Sequence, residues 1–185
     1  MSAELDFGSC SEEQLWCFVA SHLERQGIGV VLVGGAVVAV YTQGAYRSGD
    51  LDFVQVDSFG RDVDSAMAEI GFRRQGRHYV HPECDHLFVE FVSGPLGVGE
   101  DTEIVPSERI EGDVRLRILS PTDCVRDRLA SYIHFRAREC LDQAVLVARA
   151  QHVDWESVES WCRGEGTRGP GAFAELRRLV AKELG

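Results

Sequence analysis

The stretch 30–52 constrains this chain most: an apolar run ends in two glycines, and two aspartates later open a second apolar run. Val30-Val31-Leu32-Val33 stops at Gly34-Gly35, the segment 36–41 is apolar again, and a polar turn leads into Asp50-Leu51-Asp52 and the run 53–56. The pattern predicts strand, glycine turn, helix, strand. Side chains alternate along a strand, so Asp50 and Asp52 share one face while Leu51 and Phe53 share the other. Two carboxylates on one face repel each other, and a divalent cation between them is the usual relief. Glycine, lacking Cβ, lets the backbone approach a ligand, and a helix that starts there offers free N–H groups to a phosphate. Phosphate on one side and metal on the other is the layout for nucleoside triphosphate chemistry.

A chain of 185 residues can bury a full core, either as one unit or as a sheet domain with a helical annex. The formal charge of −11 argues against a general nucleic-acid coat, which would be basic. That charge is uneven: residues 1–112 carry 19 acidic and 7 basic side chains, net −12, and the remainder carries 11 and 12, net +1. A basic-leaning C-terminal part facing an acidic N-terminal part is able to close on a phosphorylated substrate; Arg-rich solvated helix faces would give the same asymmetry. The six cysteines form no Cys-x-x-Cys pair, and Cys124, Cys140 and Cys162 fall in helical patterns, so reduced thiols and a cytoplasmic location are expected. No charged-then-apolar leader and no apolar stretch of about 18 residues is present, which speaks against export and membrane spanning.

Taken in order, the chain is expected to form an amphipathic helix over 11–26, capped by Ser11 and ended by Gly27, and a strand over 28–33. A helix over 36–41, a loop over 44–49 carrying Arg47 and Ser48, and a strand over 50–56 follow. Next come a helix over 61–70, a polar hairpin over 72–80 turning at Gly76, and a strong strand over 86–92. The stretch 94–112 reads as a loop with a short strand near Ile104, and 114–119 as a strand with Arg115 and Arg117 on its polar side. Ser120-Pro121-Thr122-Asp123 opens a helix, with Ser120 as cap, Pro121 first and Asp123 closing a capping box. Three further helices are expected over 136–150, 154–162 and 171–184, with 164–171 as the flexible joint. The fold class is therefore α+β, a mixed sheet flanked by helices and followed by a helical annex, with the division placed at 1–119 and 120–185.

Glu90 is the third acid of interest, because a lone charge inside the apolar strand Val89-Glu90-Phe91 is costly unless paired or metal-bound. A half-exposed strand with Glu90 in water is the plainer alternative. The ordered set Gly34-Gly35, Asp50-Leu51-Asp52 and Val89-Glu90-Phe91 resembles the nucleotidyltransferase superfamily, whose fold is shared with DNA polymerase beta. It is similar in particular to small bacterial proteins of the AbiEii type from abortive-infection and toxin–antitoxin systems. The segment 119–129, Leu-Ser-Pro-Thr-Asp-Cys-Val-Arg-Asp-Arg-Leu, looks like the helix opening that follows the catalytic sheet in that subgroup.

The resemblance implies that Gly34 and Gly35 lie under the triphosphate and that Asp50 and Asp52 hold Mg²⁺. Glu90 would complete a second metal site, and two ions about 3.5–4 Å apart stabilise the entering and leaving oxygens of an in-line displacement. Arg47 and Ser48 are placed to contact phosphate, Arg47 being otherwise a solvent-exposed loop cation. Arg126 and Arg128 are candidate clamps from the annex, with ion pairs to Asp123 or Asp127 as the alternative. The family often uses lysine in such roles, and this chain has a single lysine, Lys182.

Other candidates carry less. His81-x-x-Cys84 beside His78 and His86 is a poor zinc motif, and a hairpin edge explains it better. His134 reads as a helix-surface residue, and Trp16, Trp155 and Trp161 read as core. Gly34-Gly35 is not Gly-x-Gly-x-x-Gly, so a dinucleotide site is a poor fit. Two functions remain: a Mg²⁺-dependent enzyme moving a nucleoside monophosphate from a triphosphate to a hydroxyl of RNA or protein, with a possible antitoxin partner, or a non-catalytic nucleotide- or protein-binding regulatory module of the same fold.

Overall fold

Ser11 starts the first helix with a reciprocal cap: its Oγ accepts from the Gln14 N–H, and the Gln14 side chain accepts from the Ser11 N–H. In the computed structural model, which describes residues 5–58 and 61–182, helix α1 then runs Glu12–Arg25 and buries Leu15, Trp16, Val19 and Leu23 along one stripe. The chain continues as β1 (Ile28–Val33), α2 (Gly35–Tyr41), β2 (Asp50–Ser58), α3 (Val63–Glu69), β3 (Arg73–Gln75), β4 (His78–His81), β5 (Cys84–Val92), β6 (Ser107–Glu111) and β7 (Val114–Ile118). Four helices complete it: α4 (Pro121–Phe135), α5 (Arg138–Ala150), α6 (Trp155–Gly164) and α7 (Gly169–Ala181). The architecture is α+β, a mixed sheet flanked by helices.

The seven strands lie in the order β3-β4-β5-β2-β1-β7-β6. β2 pairs antiparallel with β1 and parallel with β5, while β7 pairs parallel with β1. The hairpins β3–β4, β4–β5 and β6–β7 are antiparallel and extend the sheet at both sides. Register places Leu32 opposite Phe53 and Ile118, and Leu51 opposite Val89, so these side chains share one face. All five are buried, and α1 packs against β1 and β7. Each such side chain contributes about 1.5–3 kcal/mol of transfer free energy, and a one-residue slip of β2 would turn Leu51 and Phe53 out and the aspartates in. The apolar face thereby fixes which way the acids point.

The annex shares that core. Leu129, Leu141, Val158 and Leu176 from α4, α5, α6 and α7 belong to the same hydrophobic cluster as Leu32 and Leu51. Two polar ties reinforce the seam: the Tyr41 hydroxyl donates to Leu119 O at 2.6 Å, and Gln151 Nε2 donates to Tyr41 O at 2.9 Å. None of the helices among the described residues is long and apolar enough to cross a membrane.

Several expected elements are displaced. The short strand expected near Ile104 is absent; the strand begins at Ser107, where β6 finds β7 as a partner through the turn at Gly112. Residues 98 and 101 make only an isolated bridge. The helix expected from 136 begins at Arg138, because Arg136 takes a left-handed conformation (φ 57°) and ends α4. Only half of the capping box at Ser120 forms: its Oγ accepts from the Asp123 N–H and donates to the Asp123 carboxylate. The last helix starts two residues earlier than expected, at Gly169, and positions 183–184 lie outside the described residues. The stretch 164–171 is a 3₁₀ turn (Gly166–Arg168) tied down by the Arg168 guanidinium on Ile133 O.

Gly169 and Gly171 make a paired test of that elbow. A Cβ at Gly169 would stand 1.8 Å from the Cys162 carbonyl oxygen, whereas one at Gly171 meets nothing within 4 Å. Gly169→Ala is expected to destabilise by about 2 kcal/mol or more, and Gly171→Ala, inside the same helix, to stabilise by up to about 1 kcal/mol. Urea unfolding of the two variants reads both signs.

Candidate active site

The parallel pairing of β2 with β5 sets Asp52 directly beside Glu90, and Asp50 beside Phe88. Register then extends the row in both directions, to Val33 on β1 and to His78 on β4. The three acids expected from the sequence therefore share one face, at the middle of the sheet. The two glycines border it. Gly34 has φ +72°, and a Cβ there would lie 2.5 Å from Asp52 Oδ2; a Cβ on Gly35 would lie 2.9 Å from Ser48 Oγ. A side chain at either position would have to displace Asp52 or Ser48, so the backbone at the start of α2 passes immediately beside the acids.

The loop before β2 is held by a buried acid. Glu12, only 2% exposed on α1, accepts from the Ser48 N–H at 2.8 Å and from Arg47 Nε at 3.0 Å through the same Oε1. Ser48 Oγ in turn donates to Asp50 Oδ1 at 2.9 Å, which orients that carboxylate. Ser48 is buried, whereas the Arg47 side chain is 61% exposed at the rim. Glu90 is met by two side chains from the neighbouring hairpin, His78 Nε2 at 3.2 Å and the Arg77 guanidinium, Nε at 3.4 Å.

Arg128 and Arg126, two residues apart on α4, point in different directions. Arg128 pairs with Asp127 and donates to Gln143 Oε1 at 3.2 Å, and Gln143 Nε2 donates to the Tyr46 hydroxyl at 3.1 Å. Burial works against the charge on Arg128, but the Asp127 carboxylate outweighs it and lifts the guanidinium above its ordinary range. Arg126 is buried against Asp123 and Asp101 and lies over the Trp161 ring, where it fastens the loop after β5 to α4. Both ion pairs are the alternatives that the sequence offered. Of the two, Arg128 is the one that lowers the pKa of Asp52 appreciably.

Asp52 is the most perturbed member of the cluster. Its pKa is raised to about 6, chiefly by burial and then by the charges of Asp50 and Glu90, with Arg128 opposing them and Asp127 adding a small push upward. The acids are thus short of positive charge even with Arg128 and Arg77 nearby. A set of hard carboxylate oxygens in that condition suits Mg²⁺, so the residues present fit such an ion. Two open concavities of about 330 and 280 Å³ lie elsewhere, one among Tyr132, Arg168 and Glu175, the other beside Ser120, Asp123 and Arg126. Neither is lined by Asp50, Asp52 or Glu90.

Sequence reasoning did not single out Tyr46, Gln143, Asp127, Glu12 or Arg77, all of which contact or electrostatically influence the site. For His78 and Arg77 a signal existed: a hairpin turning at Gly76 returns β4 alongside β5. For Glu12 and Gln143 none did, since both reach the site across more than 30 residues of chain.

No protein-family profile and no curated protein matches the chain. Among solved structures, it is similar to the crystal structure of an antigenic nucleotidyltransferase-like protein from Paracoccidioides brasiliensis. The TM-score is 0.62 over 93% of this chain and 89% of that one, at 13% identity. The likeness shows that the fold is nucleotidyltransferase-like.

The raised pKa of Asp52 has a signed consequence for stability. A carboxyl whose folded pKa lies above its unfolded value favours the folded state when protonated, so its contribution is present near pH 4 and lost as pH rises through about 6. In metal-free buffer Asp52→Asn is expected to match the native protein at pH 4 and to exceed it at pH 7 by roughly 1–2 kcal/mol after allowing for solvent screening. Urea unfolding at several pH values measures the difference, and saturating Mg²⁺ is expected to reverse its sign at pH 7.

Proposed function

We propose that the chain is a Mg²⁺-dependent nucleotidyltransferase that moves a nucleoside monophosphate from a triphosphate onto a hydroxyl of RNA or protein. The observation that carries this reading is the convergence of Asp50, Asp52 and Glu90 on one sheet face directly beside the Gly34-Gly35 turn. Asp50 and Asp52 would hold Mg²⁺, with Glu90 completing a second site. Bound Mg²⁺ supplies charge neutralisation on the phosphates and eases deprotonation of the attacking hydroxyl. The chain's own groups do the positioning. Gly34 and Gly35 would lie under the triphosphate, Arg47 at the rim and Ser48 beside Asp50 would meet phosphate oxygens, and Arg128 would add positive charge from the annex. The acceptor oxygen bonds to the α-phosphorus, the bond from that phosphorus to the bridging oxygen breaks, pyrophosphate leaves, and the hydroxyl proton passes to Glu90 or solvent. The resemblance to AbiEii-type proteins extends the proposal to a toxin with an antitoxin partner, and the six free thiols suit a reducing cytoplasm.

A second reading, the non-catalytic binding module, is favoured by the protein side chains that already engage the acids. Arg77 and His78 engage Glu90, and the Arg128–Asp127 pair lies within electrostatic reach of Asp52. Calorimetric titration of the four nucleoside triphosphates separates the two, with and without Mg²⁺, into the native protein and an Asp50→Asn/Asp52→Asn variant. Metal-dependent binding to the native protein that disappears in the variant is expected. Transfer of radiolabelled nucleotide to RNA or protein should then fall by about 10²-fold or more in Asp52→Asn, the scale of losing one electrostatic stabiliser of the transition state. No triphosphate binding by folded native protein would leave the binding-module reading in its place.

A further inference from the structure

Cys10, in the segment before α1, meets Cys84 and His86 at the start of β5. Cys84 and His86 are two residues apart on the strand and lie on the same side of it. His86 Nε2 is 2.9 Å from the Cys10 carbonyl oxygen. A carbonyl only accepts, so Nε2 carries the hydrogen and Nδ1 presents its lone pair. Nδ1 faces Cys84 Sγ at 3.9 Å, and the Cys10 sulfur completes a triangle of donor atoms that all lie within 4.8 Å of one another. In a tetrahedral zinc site, bonds of about 2.3 Å to sulfur and about 2.0–2.1 Å to nitrogen put neighbouring ligand atoms roughly 3.5–3.8 Å apart. The triangle thus has to contract by only about an ångström or less to close on an ion. The imidazole is oriented as metal-bound histidines are, with its second N–H given to a backbone carbonyl.

We propose that Cys10, Cys84 and His86 form a zinc site. Two thiolates and an imidazole select a soft or borderline ion over Mg²⁺, and a tetrahedral set of sulfur and nitrogen donors selects Zn²⁺. The fourth position opens towards solvent beside Asp85, whose exposed carboxylate lies 3.7 Å from His86 Nδ1. Both sulfurs are nearly fully buried while the imidazole is partly exposed, so the ion enters from the histidine side. Binding replaces the two thiol protons with two Zn–S bonds and releases those protons to solvent. The ion would cross-link the segment before α1 to β5, and so steady the helix whose Glu12 holds Arg47 and Ser48. Its role is structural, and it is separate in donor chemistry from the carboxylate site further along β5.

Co²⁺ titration of the reduced full chain under a phosphine reductant tests the site, with Zn²⁺ as competitor. One Co²⁺ per chain is expected, with intense thiolate-to-cobalt charge transfer and the d–d bands of a tetrahedral ion, both erased by Zn²⁺. About two protons should be released per ion near neutral pH. Cys10→Ser and Cys84→Ser should each abolish the charge-transfer intensity, His86→Gln should weaken binding at least about tenfold, and Cys17→Ser should change nothing. Thermal unfolding of the native protein supplies a readout independent of the variants' folding, with Zn²⁺ raising the midpoint. A folded, reduced native protein that takes up no Co²⁺, or bands that persist unchanged in Cys10→Ser and Cys84→Ser, would overturn the proposal.

Discussion

Parallel pairing of β2 with β5 forces Asp52 and Glu90 into neighbouring positions and brings Asp50 onto the same face. Like charges so arranged oppose folding, and much of the surrounding structure is organised around that cost. The opposite face of the same strands carries Leu51, Phe53 and Val89, whose burial holds the register. Ser48 donates to Asp50, Arg77 and His78 sit against Glu90, and Arg128 lies within the field of Asp52. Burial, and after it the charges of Asp50 and Glu90, still hold the Asp52 carboxyl well above the ordinary aspartate range. Perturbed carboxylates gathered at one place in a fold are the kind of feature that functional sites share.

The helices after the sheet contribute more than mass. α4 opens at Ser120 and Pro121 just past β7, and it carries Asp127 and Arg128 back towards the acids. Gln143 from α5 then links Arg128 to Tyr46, which stands beside Gly35 and Ser48. A continuous polar chain thus joins the annex to the glycine turn, and the two portions share one hydrophobic core. Any movement of α4 relative to the sheet would alter the charge balance at Asp52.

Legibility in the sequence followed the range of the interaction concerned. Apolar, β-branched runs bounded by turn residues located β1, β2 and β5, and period-2 alternation put Asp50 and Asp52 on one face, because strand geometry is local. The capping pattern at Ser11 and the Ser120-Pro121 start were readable for the same reason. Strand pairing was not: β6 moved to Ser107 because its partner β7 dictated where hydrogen bonds form, and propensity near Ile104 could not anticipate that. The left-handed Arg136 likewise carries no glycine or asparagine signal. Partners distant in the chain were invisible, among them Glu12 under Ser48 and Cys10 beside Cys84 and His86. His81, grouped with Cys84 by spacing alone, instead stacks on Phe7 at 3.7 Å.

The central claim is that Asp50, Asp52 and Glu90 act as one coupled, cation-seeking cluster. Titration of the Asp52 carboxyl carbon by ¹³C NMR, with and without Mg²⁺, measures that coupling at the atom concerned. A midpoint near 6 in metal-free buffer, shifted clearly downward by saturating Mg²⁺, is the predicted result. A midpoint near the ordinary aspartate value of about 3.9 that Mg²⁺ does not move would contradict the account.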